Sequence, residues 1–226
     1  MHYIFEDAKI SHPLIIKKFY NTVYTDCFLE ENERETFENL LYYLKDQDPR
    51  CSNHILIIKN IFGVPIGGAV FDYFKEYNFG VIEFICITPK LQSQNLGTAL
   101  YKEVIKKFKE LAHEAGYKHV DFIFCEIEDP EGDQTLKYLN FYRKYNYKRV
   151  NYKYIQPPLD ENKKLVGNLW IIVNCFTDKQ LTKEIFLRFI KSYYSFCMSI
   201  PDVENYMHYQ YMKAVVGNKD LSLSDL

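Results

Sequence analysis

The stretch "QSQNLGT", residues 92–98, joins an apolar run ending in "FICIT" to a long helical pattern. A bend between a strand and a helix leaves the first N–H groups of the helix without intrahelical acceptors, and the helix dipole adds partial positive charge at the same place. Backbone donors from Gln92, Ser93, Gln94, Asn95, Leu96, Gly97 and Thr98 should therefore converge where an anion such as a pyrophosphate can be held. Two carboxylates stand inside apolar runs, Glu83 in "GVIEFICIT" and Glu126 in "HVDFIFCEI". Burial would raise either one toward neutrality, where a carboxyl works as a general base. Strand alternation puts Glu83 on the same face as Ile85 and Ile87.

The elements that must position these groups follow from periodicity. Residues 12–26 have apolar positions at helical spacing, with Ser11 as N-cap and Pro13 in the first turn, and a second helix is expected over "ETFENLLYYLKD". Then the period changes to that of strands. The runs 54–60, 65–74 and 80–88, broken by "NIFG" and "KEYNFG", predict an antiparallel meander. After the bend, Leu96, Leu100, Val104, Phe108 and Leu111 form one helical stripe that Gly116 ends. "HVDFIFCEI" reads as a strand, so residues 80–127 form a strand–helix–strand unit whose strands should be parallel with a right-handed crossover. A helix over "DQTLKYLNFYRKYN" and strands over "YKRVNYKYI" and "NLWIIVNCF" come next. From Thr177 onward two helices outside the sheet are expected, carrying Tyr193, Tyr194, Phe196, Tyr206, Tyr209 and Tyr211. Whether they pack on their own domain, cap a cleft or meet a second copy in a homodimer is open.

Composition narrows the function. At 226 residues, 47% hydrophobic and 26% charged, the chain can build one core with an appendage or two small domains. Its 28 basic residues nearly balance 30 acidic ones, which disfavours a nucleic-acid or membrane-surface partner. The six cysteines lack C-x-x-C pairing, and Cys86, Cys125 and Cys175 lie in apolar runs, so they read as free thiols in a reducing compartment. His54, His113 and His119 are dispersed, and no metal site is expected. The N-terminus lacks a signal-peptide pattern and the longest apolar run is short of a membrane span, so a cytoplasmic location is expected.

Element order, "ITPKLQSQNLGTAL" and the later "FYRKYNY" resemble the GCN5-related N-acetyltransferase (GNAT) superfamily over residues 1–176. That family's loop runs hydrophobic-x-Pro-x-x-Arg/Gln-x-x-Gly-x-Gly/Ala, and Ile87, Pro89, Gln92, Asn95 and Gly97 fall on those positions. Asn95 replaces the first glycine, and Asn146 makes the same exchange in "RKYNY"; Asn is the non-glycine residue best suited to positive φ. A register pairing Gln94, Gly97 and Ala99 with the motif loses Pro89. The resemblance implies an α/β fold of the acyl-CoA N-acyltransferase type, with a mostly antiparallel mixed sheet and one parallel βαβ crossover. The acetyltransferase domain would span 1–176, and 177–226 would be a helical extension.

The family's co-substrate is acetyl-CoA, with its diphosphate on residues 92–98 and its pantetheine arm along the backbone of Ile85, Cys86 and Ile87. An N–H near Ile87 would polarise the thioester carbonyl. Tyr142 falls on the tyrosine that would protonate the leaving thiolate, although beside Leu139 and Phe141 it also reads as a core aromatic. Glu83 or Glu126 would be the base. Two acidic clusters, Glu30, Glu31, Glu33, Glu35 and Glu38, and Glu126, Glu128, Asp129, Glu131 and Asp133, would border the acceptor. They favour a cationic primary amine on a polyamine-like or aminoglycoside-like molecule or on a lysine side chain. The expected activity is N-acetyl transfer by direct attack in a ternary complex. Two rivals are a catalytically silent acyl-CoA-binding module, which Asn95 favours, and a nucleotide-binding βαβ domain, which the single parallel crossover disfavours.

Overall fold

The computed structural model describes residues 2–31, 34–45, 48–129, 133–159, 163–164 and 169–226. The chain forms two compact units, Met1–Val120 and Asp121–Leu226. Both combine strands with helices, in agreement with the expected α/β class. Among the described residues no helix is long and apolar enough to cross a membrane.

The first unit opens with a strand that periodicity did not reveal, β1 (Tyr3–Ala8). Helix α1 (Pro13–Phe19) begins with Pro13, whose fixed φ suits a first helical position, but the cap is His12 rather than Ser11 and its side chain makes no capping bond. A π turn at Tyr20–Tyr24 carries α1 into the short α2 (Thr25–Cys27), and α3 (Phe37–Lys45) follows. Strands β2 (Cys51–Asn60), β3 (Pro65–Phe74) and β4 (Phe79–Ile87) then form the expected meander, each antiparallel to the next, with β1 paired to β2.

Strand β3 is buried at all ten positions. Neighbouring Val70 and Phe71 face opposite sides of the sheet. On the Val70 side, Ile16, Phe19, Val23, Tyr24, Leu40 and Leu44 close over Ile55, Ile57 and Cys86. At Gly68 a Cβ would sit 2.6 Å from the Phe19 ring, so only glycine lets α1 approach. On the other side lies α4 (Leu96–Glu114), whose Phe108 meets Phe71 edge to face at 5.1 Å. Its predicted stripe of Leu96, Leu100, Val104, Phe108 and Leu111 is buried throughout, and Gly116 ends it at φ 88°.

The second unit contains β5 (Phe122–Glu128), α5 (Asp133–Lys144), β6 (Lys148–Val150), β7 (Leu169–Cys175), α6 (Lys183–Ser192), α7 (Met207–Asn218) and β8 (Leu223–Asp225). Its strands run β5-β7-β6-β8, all antiparallel. The strand expected over 147–155 shrinks to Lys148–Val150, because Tyr152 and Tyr154 leave the ladder to be buried, and the Tyr152 hydroxyl donates to the Lys219 carbonyl at 2.9 Å. The tail is not wholly outside the sheet either, since β8 pairs with β6. Helix α6 is capped by Thr182, whose hydroxyl accepts from Ile185 N at 3.2 Å, and it stacks Phe189 on Phe124 at 4.0 Å. It continues through a second π turn, Tyr193–Cys197.

Candidate functional site

At the end of β4 two features set the local chemistry. Val70 pairs with Phe84 and Phe71 with Ile82, so Glu83 is the extra residue of a β-bulge. The bulge breaks the alternation assumed from sequence. Glu83 lines a small cavity with Val70, Asp72, Asn53, Leu40 and Leu44 and so is turned to the α3 side, instead of sharing a face with Ile85 and Ile87. Further along, Thr88 N donates to Ile66 O at 3.0 Å, which makes Ile87 and Gly67 a non-hydrogen-bonded pair. By the same alternation the N–H and C=O groups of Ile85 and Ile87 point away from β3, whereas those of Cys86 point toward it. The Ile87 carbonyl accepts from Gln92 Nε2 at 3.2 Å and from the Cys27 thiol at 3.4 Å.

The bend itself has the shape expected of an anion cradle. A 3-10 turn at Pro89–Leu91 leads into Ser93 and Asn95, whose φ values are 64° and 62°. Left-handed backbone costs a non-glycine residue roughly 1–2 kcal/mol, least for Asn, so the packed ends of β4 and α4 hold the bend against that strain. Asn95 thus takes a left-handed conformation of the kind glycine adopts without strain. The first helical bond of α4 is Ala99 N to Asn95 O at 3.0 Å. Among the described residues, no hydrogen bond engages the N–H groups of residues 93–98. No side chain caps α4, and no acidic residue stands in its first turn. A Cβ built on Gly97 would meet only Ile87 Cγ1, at 3.9 Å. Open space, free donors and an uncompensated dipole fit a pyrophosphate.

Glu126 lies near the end of β5. Its Oε2 accepts from the Tyr193 hydroxyl and from Gln156 Nε2, both at 3.0 Å. Its Oε1 is enclosed and closes no hydrogen bond, and neither does the Tyr154 hydroxyl, although the two groups are near enough to interact. Burial pushes the Glu126 carboxyl up to about 7, with the two phenols pulling weakly the other way. The sequence singled out Glu126 but not this shell, because Gln156, Tyr154 and Tyr193 come from irregular chain and the tail.

Tyr142 is 8% exposed on α5 and meets the rings of Phe141 and Tyr147 edge to face at 5.4 and 5.2 Å. Its carbonyl accepts from Tyr145 N and Tyr147 N, ending the helix, while Asn146 takes the anticipated positive φ of 61°. Of the acidic clusters, Glu30, Glu38 and Glu128 are exposed, and Glu31 is exposed beside Arg34 at 3.4 Å. Glu35 is buried and accepts from Asn39 Nδ2 at 2.7 Å, which withdraws it from any acceptor surface. Glu33, Glu131 and the Asp133 side chain lie outside the described residues.

Solved structures share this fold. A GNAT-family protein from Bacteroides thetaiotaomicron aligns with a TM-score of 0.64 at 19% identity, over 87% of this chain and 99% of its own. yncA from Salmonella typhimurium, solved with its cofactor acetyl-CoA, gives 0.53 at 17% identity over 80% of this chain and 98% of its own. The ribosomal-protein-S18-alanine N-acetyltransferase from Escherichia coli gives 0.53 at 10% identity, over 79% and 97%. No curated protein matches the sequence significantly. The model of the Acetyltransferase (GNAT) family matches residues 16–147. With more than half of its length matched, the chain belongs to the GNAT family and is an acetyl-CoA-dependent N-acetyltransferase.

Proposed function

We propose that the acceptor is a cationic primary amine, on a polyamine-like or aminoglycoside-like molecule or on a lysine side chain, and that it attacks the thioester directly in a ternary complex. The observation that supports this best is the Glu126 carboxyl: two neutral donors meet one oxygen, and beside the other the Tyr154 hydroxyl lies near without closing a hydrogen bond. Among the described residues no Lys, Arg or His pairs with it. An enclosed carboxylate without a counter-ion is costly. An ammonium would supply the missing charge.

In this reading acetyl-CoA brings the activated acetyl group, and the chain's own residues do the rest. Free N–H groups of residues 93–98 hold the diphosphate, and an N–H near Ile87 polarises the carbonyl. Glu126, near neutrality, takes the proton that the ammonium must lose, and Tyr142 protonates the departing thiolate. Glu83, turned aside by its bulge, is the weaker candidate base. Residues 1–176 carry the transfer, while the 177–226 extension contributes Tyr193 to the acceptor side. None of the six cysteines is in a disulfide, which suits a cytoplasmic enzyme.

Two measurements test this. Calorimetry should find acetyl-CoA binding in the wild type and its loss in Gly97→Glu, because the cradle has room for the new Cβ but not for a carboxylate beside a diphosphate. Release of CoA should then be followed with spermidine, an aminoglycoside, a lysine peptide and a neutral amine. Glu126→Gln should raise KM for the cationic acceptors at least tenfold without changing the Kd for acetyl-CoA. Equal turnover of neutral and cationic amines by the wild type would overturn the acceptor assignment.

A further inference from the structure

Cys27 and Cys86 are far apart in sequence but adjacent in the first unit. Cys27 closes α2, and its side chain packs against the cluster that contains buried Cys86. The two thiols are near enough to perturb each other's ionisation. The Cys27 thiol also reaches the Ile87 carbonyl at 3.4 Å, on the edge of β4 that points away from β3. Cys27 is half-buried, so small reagents can reach it, whereas Cys86 is 8% exposed. We propose that Cys27 and Cys86 form a redox-sensitive pair, which a peroxide converts to an intramolecular disulfide that fastens the end of α2 to β4 and closes the strand edge to acetyl-CoA.

The roles of the two sulfurs follow from their surroundings. The contact with Cys86 lowers the Cys27 pKa against the opposing effect of burial, while Cys86 is raised by the same contact and by burial. Cys27, the more accessible and the more acidic of the two thiols, is therefore the one that reacts first. It attacks the peroxide O–O bond, becoming a sulfenic acid and releasing one oxygen as water. Cys86 then attacks the Cys27 sulfur, forming the S–S bond and expelling the second oxygen as water. Two thiols lose two electrons and two protons, and one hydrogen peroxide becomes two waters. The new bond draws the Cys27 sulfur off the Ile87 carbonyl and removes the freedom of residues 25–28 beside that strand edge.

The full-length protein, the Cys27→Ser and Cys86→Ala variants, and a Cys175→Ser control at the exposed cysteine should be treated with hydrogen peroxide. Peptide mapping without reduction should find a Cys27–Cys86 cross-link in wild type and Cys175→Ser, absent from the other two. Acetyl-CoA affinity, measured by calorimetry before and after treatment, should fall at least tenfold in wild type and return with dithiothreitol. In Cys27→Ser the ratio of the two affinities should stay near one. No cross-link in wild type would overturn the proposal, and so would a cross-link that leaves affinity unchanged, or an equal loss of affinity in Cys27→Ser. The mapping does not depend on the cofactor assignment. Failure of the untreated protein to bind acetyl-CoA would count against the cradle and leave the cross-link to be judged separately.

Discussion

Replacing Glu126 with Gln tests how far the second unit encloses this carboxyl. Its pKa rises from 4.5 to about 7 through burial. At about 1.4 kcal/mol per pKa unit, that difference corresponds to roughly 3 kcal/mol between the protonated and ionised folded forms. Between pH 4.5 and 7 the folded protein keeps a proton that the unfolded chain has released, so stability falls as pH rises through that window and levels off above it. Glu126→Gln cannot ionise and should escape this loss. Urea unfolding of both proteins at fixed ionic strength should therefore show the variant gaining on wild type by about 2–3 kcal/mol between about pH 5 and pH 8. His208, whose pKa burial lowers, contributes with the opposite sign, but it is common to both proteins and cancels in the difference. Parallel stability profiles would refute the enclosed carboxyl, and with it the argument that Glu126 waits for a cation.

Other outcomes follow from the bend and the aromatic cluster. Asn95→Gly should leave stability unchanged or raise it by up to about 1 kcal/mol, because glycine takes the φ of 62° without strain. Asn95→Val should cost about 1–2 kcal/mol in urea unfolding and weaken acetyl-CoA in calorimetry. Tyr142→Phe should lower kcat by about 10²-fold while leaving acetyl-CoA affinity intact, and unchanged turnover would reduce Tyr142 to the packing role its neighbours describe.

Much of this was legible where one local rule governed the outcome. The bounds of β3 could be read from its apolar run, and the α4 stripe from its period. Positive φ at Asn95 and Asn146 followed from motif positions that call for glycine. What escaped depends on partners distant in sequence. A bulge is set by which residues of β3 face β4, so nothing in "GVIEFICIT" announces that Glu83 is the extra residue. Strands β1 and β8 are short, half-exposed or exposed for most of their length, and gain their order from β2 and β6. The Glu126 shell is assembled from residues 126, 154, 156 and 193, and the thiol pair from residues 27 and 86. Neither set leaves a pattern along the chain.

The two π turns make helix length a determinant of side-chain direction. Each closes with an i to i+5 bond, Thr25 N to Tyr20 O and Met198 N to Tyr193 O, and so inserts one more residue than an α turn. Consecutive residues on these segments can then both point inward: Val23 with Tyr24, and Tyr193 with Tyr194. The Tyr193 hydroxyl goes to Glu126 and that of Tyr194 to the Ile155 carbonyl. Each helix therefore carries an offset in its phase. Deleting one residue would keep the helix yet rotate every later side chain by about 100°, exchanging the groups that meet Glu126 without altering any of their identities.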